Sequence, residues 1–153
     1  MIELDIHETW LRLTKLPGGK KLFSKAIGRM APYSGTVKPM VESLSPGHAV
    51  VSISDHKRIR NHLESIHAIA LMNLGEMATG LAMLAGLPKG GRGIITGLSM
   101  EYVKKARGII TAEAQIEVPQ GSGKHDLELE AQLTDEAGDL VARARAVWRL
   151  DIP

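Results

Sequence analysis

Hydrophobic and polar positions divide the chain into stretches of different period. The central stretch begins at Asn61, and from Ile66 to Leu84 nearly every residue is apolar or small. Ala68, Ile69, Leu71, Met72, Leu74, Met77, Leu81 and Met83 fall on every side of a helical wheel. A surface helix keeps a polar side, whereas a helix that is apolar all round is surrounded by protein. Gly86 and Pro88 supply its stop, because glycine suits the position after a helix and proline cannot continue one. The length also allows a membrane span. Glu76 would then sit near the bilayer centre at a cost of roughly 2–3 kcal/mol or more, and no second apolar span follows. The pattern predicts a buried central helix in a soluble protein, interrupted by three polar groups, His67, Asn73 and Glu76.

Upstream, residues 8–31 carry a helical period in two pieces broken at Pro17-Gly18-Gly19. Trp10, Leu11, Leu13 and Leu16 mark one apolar face, and Leu22, Phe23, Ala26, Ile27 and Met30 the other. Val37–Leu44 and Ala49–Ser54 read as strands around the turn Ser45-Pro46-Gly47, with a polar connection from Asp55 to Asn61. Downstream, Lys89-Gly90-Gly91-Arg92-Gly93 is a flexible connection without the spacing of a nucleotide-binding loop. The last sixty residues alternate as sheet: 94–103, 110–118, and a hairpin across residues 135–139. In that hairpin Leu127, Leu129, Ala131 and Leu133 face inward with Ala142, Ala144, Ala146 and Trp148. The outer faces set Asp126, Glu128 and Glu130 against Arg143, Arg145 and Arg149, which favours antiparallel pairing. The small inward alanines leave room for a bulky neighbour, and the central helix is the obvious occupant.

The 153 residues suit a single domain, 1–153, with a helical segment at about 8–31 and a core at about 37–150. The absence of cysteine excludes disulfides, a thiolate nucleophile and Cys-ligated zinc, and no histidine cluster has ligand spacing, so neither metal nor organic cofactor is expected. A net charge of +2 and 3% aromatic residues give neither a concentrated basic face nor stacking platforms, so nucleic acid is not an expected partner. The acidic start Met1-Ile2-Glu3-Leu4-Asp5 does not read as a signal peptide, and a cytoplasmic protein without a membrane partner is expected. One charge feature stands apart: Arg12, Lys15, Lys20, Lys21, Lys25 and Arg29 occur with no acid between residues 11 and 30. Such a run is either a solvated face or a landing patch for anionic substrate groups.

Two strands, a buried helix and four strands give an α+β protein in which a curved antiparallel sheet wraps a long central helix, the order of a hotdog fold. Asn61-x5-His67-Ala68-x7-Glu76, with Leu71 and Leu74 between, resembles the signature of the phenylacetate-pathway type of hotdog acyl-coenzyme A thioesterases. In that family an Asn or Gln precedes the His by six residues, a small residue follows it, and an acid lies nine residues beyond. Thr96-x-Leu98-x-Met100-x-Tyr102 is similar to the strand after the helix in the same family. The resemblance covers about residues 37–150 and is nearest to a largely uncharacterised branch. Ala68 stands where Gly is usual, and Glu76 where Asp is commoner.

The resemblance implies hydrolysis of an acyl-CoA or related acyl thioester at a homodimer interface, with coenzyme A present only as part of the substrate. Residues 67 and 76 are half a turn out of phase and ~13 Å apart along a helix, so they cannot converge within one chain. Two antiparallel helices about a two-fold axis could bring His67 and Ala68 of one subunit opposite the acid of the other; the sequence leaves open whether dimers pair into tetramers. By resemblance, the Ala68 N–H receives the thioester oxygen, Glu76 serves as general base or nucleophile, Asn61 orients water or carboxylate, His67 bonds near the helix start, and Thr96 is a polar helper. Lys57, Arg58, Lys104, Lys105 and Arg107 are candidate partners for coenzyme A phosphates. Glu76 could instead be a structural acid, His67 a helix cap and Asn61 a turn residue. A hotdog hydratase or dehydratase, or a non-catalytic acyl-CoA-binding module, are the alternative functions.

Overall fold

The computed structural model describes residues 5–153. Helices α1 (Ile6–Leu13), α2 (Gly19–Met30) and α3 (Pro32–Val37) precede the hairpin strands β1 (Met40–Ser45) and β2 (His48–Ser54). A 3-10 turn at Lys57–Ile59 leads to the long helix α4 (Ala68–Leu84). Strands β3 (Arg92–Tyr102), β4 (Ile109–Gln115), β5 (Gly123–Thr134) and β6 (Leu140–Ile152) follow. All six strands form one antiparallel sheet in the order β1-β2-β4-β5-β6-β3, curved around α4. This is the hotdog fold, with a helical segment added before β1.

Helix and sheet meet through small residues. A Cβ on Gly75 would lie 2.4 Å from the Ala144 Cβ, and one on Gly80 would lie 3.0 Å from the Trp148 ring. The alanines of β6 therefore do make room for α4, and glycines on the helix complete the fit. Trp148 packs over Gly80, and its indole N–H donates to Thr79 Oγ1 at 3.2 Å, satisfying a polar atom that would otherwise be stranded in the core. The β1–β2 turn is tied to the far end of the same helix. Gly47 is left-handed (φ 78°), and its N–H donates to the Ala82 carbonyl at 2.9 Å.

The terminal hairpin has the expected antiparallel pairing. Arg149 meets Asp126 at 2.8 Å and Arg145 meets Glu130 at 2.9 Å, directly across the strands. Arg143 lies opposite Gln132 and reaches across the other edge of β6 to Glu101 on β3 at 3.3 Å, while Glu128 faces Val147. These exposed pairs are worth little individually; their consequence is register.

Two local expectations are modified. Val37 ends a third helix instead of starting a strand. Pro32 opens that helix, where its fixed backbone and missing N–H suit the first turn, and Lys38 closes it in the left-handed region (φ 57°). Close packing on α2 overrides the local strand preference of Val37: a Cβ on Gly35 would fall 2.5 Å from the Gly28 carbonyl oxygen. The central stretch is also helical only from Ala68. Residues 61–67 form a compact loop, with Glu64 at φ 55°.

The Gly75–Ala144 contact sets a test. Alanine gains roughly 1 kcal/mol over glycine within a helix, but overpacking a filled core costs about 1–3 kcal/mol. Gly75→Ala is expected to be net destabilising, read as a lower urea midpoint at unchanged slope. A stabilised variant would show that the helix and β6 can separate at no cost.

Candidate active site

The start of α4 is built by the loop before it. The Asn61 side-chain carbonyl accepts from Leu63 N (2.9 Å), Ser65 N (3.3 Å) and Ser65 Oγ (3.1 Å), folding the loop back on itself. Its amide nitrogen has no partner among the described residues. Ile66 N–H donates to the Ala106 carbonyl at 2.8 Å and His67 N–H to the Ile59 carbonyl at 2.7 Å, which fixes the chain's entry to the helix. Arg107 braces the loop from outside by donating to the Glu64 and Leu63 carbonyls, each at 3.3 Å.

His67 is the N-cap of α4. Its Nδ1 accepts from Ile69 N–H at 3.0 Å, so the neutral ring carries its proton on Nε2, and the ring itself is exposed. The N–H of Ala68, the first helical residue, has no partner among the described residues. It is one of the donors that a helix start leaves free, at the positive end of the helix dipole. The Ala68 carbonyl accepts from the Tyr102 hydroxyl at 2.9 Å. Partial desolvation pushes the phenol of Tyr102, a residue 45% exposed, above its ordinary value, which favours the protonated, donating form.

Glu76 is half-buried further along α4, about 12 Å of helix rise from Ala68. Its carboxylate accepts from Asn73 Nδ2 at 3.3 Å, and the same nitrogen donates to Ser34 Oγ on α3 at 2.9 Å. Asn73 is buried, and its Oδ1 has no partner. The chain Ser34–Asn73–Glu76 therefore connects the added helical segment to the central acid. Ile69, Met72 and Glu76 form the one strip of α4 that the chain leaves partly open, and Ile69 is 48% exposed.

Asn61, His67 and Ala68 are thus brought together, while Glu76 stands apart from them within one chain. Thr96 lies elsewhere on β3, at the irregularity between Ile95 and Gly97, and its hydroxyl donates to the Val147 carbonyl at 3.3 Å. Lys104 is engaged by Asp135 at 2.6 Å and Asp139 at 3.1 Å. The hydrogen bond to Asp135, ahead of charge attraction, raises the ammonium's affinity for its proton and holds the Asp135 carboxyl below its ordinary value. Lys57, Lys105 and Arg58 are exposed, and Arg58 lines the cavity beside His67. Among the described residues no group of three or more His, Asp or Glu could hold a metal ion, and no helix is long and apolar enough to cross a membrane.

Residues 19–150 match the family described as "Domain of unknown function (DUF4442)". The chain belongs to this family. No curated protein matches it. Among solved structures, the DUF4442 protein is similar to the structural-genomics protein APC5556, with 29% identity and a TM-score of 0.83 over 98% of this chain and 100% of that one. It is also similar to PA5026 of Pseudomonas aeruginosa, described as a probable thioesterase, with 25% identity and a TM-score of 0.75 over 89% of this chain and 96% of that one. The thioesterase SAV0944 of Staphylococcus aureus, solved as mutants at a glutamine and at a glutamate, shares the fold at 17% identity and TM-score 0.69, over 78% of this chain and 98% of that one.

Three residues of the site escaped the sequence pattern as participants. Asn73 lies three residues before Glu76, a same-face spacing that a sequence does display. Ser34 and Tyr102 come from distant segments and only the fold delivers them. For Tyr102 the expected outcome is specific. Its folded value is raised above the unfolded value near ~10, so its stabilisation is complete below that pH and is lost as pH rises through the folded value. Tyr102→Phe should lower stability by about 0.5–1.5 kcal/mol at neutral pH, the usual worth of one hydrogen bond. It should also flatten the alkaline decline. A melting curve against pH identical to wild type would refute the assignment.

Proposed function

We propose that the DUF4442 protein hydrolyses an acyl thioester, with an acyl-CoA as the first candidate, at sites shared between two copies of the chain. The observation that carries this reading is the pairing of features on one helix. A free N–H stands at its start, and a carboxylate stands on its uncovered strip, too far away to serve the same site within one chain. Two antiparallel copies of α4 would put the partner subunit's Glu76 beside Ala68.

In that arrangement the thioester oxygen accepts the Ala68 N–H, and the helix dipole stabilises the negative charge that grows there during attack. The partner subunit's Glu76 takes a proton from water as the water oxygen bonds to the carbonyl carbon. Collapse of the tetrahedral intermediate then breaks the carbon–sulfur bond and the thiolate leaves, recovering the proton. Attack by the carboxylate itself would give a mixed anhydride that water opens. The free amide of Asn61 and the outward Nε2–H of His67 are donors for the water, the carboxylate or the thioester. Lys57, Lys105 and Arg58 remain candidate cations for an anionic substrate end.

Two further observations support the reading. PA5026, at 25% identity, is described as a probable thioesterase. In SAV0944 the mutated glutamine and glutamate are fifteen residues apart, the separation of Asn61 and Glu76 here.

The shared site requires an assembly. β3 is an eleven-residue edge strand with Ile94 65% exposed and Tyr102 45% exposed, and its Tyr102 hydroxyl reaches the start of α4. Long apolar edges are templates for pairing with another chain. Sedimentation is expected to show a homodimer or a pair of dimers; a folded, active monomer would remove the mechanism. Glu76→Gln is the chemical test. The amide fills nearly the same volume, so the fold should persist. Thiol release should fall by roughly 10²-fold or more, the usual worth of a positioned base, with little change in apparent affinity. If Glu76 is a structural acid, turnover stays near wild type and stability holds or rises as a desolvated charge is removed.

A further inference from the structure

The basic run of the first helical segment acquires a shape in the fold. Lys21, Lys25 and Arg29 recur every four residues, so they form one stripe along α2. That stripe lines a groove of about 880 Å³, to which two other segments of the chain contribute Lys38 and Arg58. Among the described residues no Asp or Glu lines the groove, and none of the five cations makes an ion pair. On the sheet and the loops that flank it, Arg60, Arg92, Lys104, Arg143, Arg145 and Arg149 each meet a carboxylate.

Like charges four residues apart on a helix destabilise it. Five unpaired cations converging on one concavity therefore work against folding and focus a positive potential into the groove. Lys38 is held there by its left-handed backbone between Val37 and the buried Pro39. The uncharged lining residues include Gly28, Gly35, Pro39 and Met40. The volume is that of a small-molecule site, and cations beside uncharged lining residues suit a ligand that carries both phosphates and an uncharged ring.

The groove also leads to the candidate active site. Thr36 and Arg58 line both it and a neighbouring cavity of about 340 Å³, which His67, Ile69 and Ala70 also line. The two are joined through the backbone, since Ile59, next to Arg58, accepts the His67 N–H at 2.7 Å.

We propose that this groove between α2, α3 and β1 is the subsite for the phosphorylated nucleotide end of a coenzyme A thioester, whose pantetheine arm runs past Arg58 to the start of α4. The proposal rests on the thioesterase reading for the reacting end. It selects coenzyme A over a carrier protein as the thiol's bearer, because five cations gathered from three segments around a groove of small-molecule size suit the clustered phosphates of a nucleotide.

The test uses the full chain and the double variant Lys25→Ala/Arg29→Ala, whose side chains lie at the surface, with melting temperature as the check on folding. Adenosine 3′,5′-bisphosphate, the end of coenzyme A without the thiol, is titrated calorimetrically. Wild type should bind it, more weakly as salt screens the charges, and the double variant should bind about tenfold or more weakly, on the order expected for losing two phosphate contacts. In turnover, the ratio of KM for an acyl-CoA to KM for the same acyl-pantetheine should rise by a similar factor in the variant. No binding by wild type, or equal binding by both proteins, overturns the proposal. So does a variant that loses only activity toward an acyl-carrier protein. Bisphosphate binding that the variant weakens, in a protein that cleaves no thioester, would uphold the groove while removing the hydrolase reading.

Discussion

The structure depends on a steric agreement between one helix and one strand. α4 has almost no polar side, so it can be stable only where the sheet encloses it, and the sheet can enclose it only where side chains are nearly absent. Gly75 against Ala144, Gly80 against Trp148, and Gly93 against the end of Met83 are the points of closest approach. Trp148 fills the space that Gly80 opens and returns a hydrogen bond to Thr79. Strand order and curvature follow, because every strand of the sheet must find its place around that helix.

A helix so enclosed has only two chemically available places, and the candidate site uses both. Its start emerges from the loop 61–67 with the Ala68 N–H unsatisfied. Its one open strip carries Ile69, Met72 and Glu76. The added helical segment is not incidental to the second place: Ser34 of α3 holds Asn73, and Asn73 holds Glu76. A carboxylate so anchored keeps one orientation, which a positioned base requires.

Charge is distributed with the same division of labour. On the outward faces of β3, β5 and β6, arginines meet carboxylates across the strands, and solvent makes each pair weak. Around the groove beside α2 no such compensation is found among the described residues, and like charges four residues apart there act against the stability of α2.

The sequence by itself determined the parts whose signal is local. An all-apolar stretch identifies its own burial, alternation in the last sixty residues identifies strands, and Pro17-Gly18-Gly19 separates two helices, because each depends on a repeat or a breaker within a few residues. The spacing Asn61–His67–Ala68–Glu76 was equally legible, as was the helical geometry that keeps Glu76 from the other three within one chain. Tertiary structure alone decided what depends on contacts between distant segments. Val37 became the end of a helix because Gly28 and Gly35 let α3 settle on α2. Arg143 found Glu101 instead of a partner on β5 because register, and not composition, selects the facing residue. Ser34 and Tyr102 reached α4 from 39 and 34 residues away, and Lys38 and Arg58 were gathered around the same groove as the α2 stripe. No period in the chain encodes such meetings, since they arise only when the enclosed helix fixes where each segment can lie.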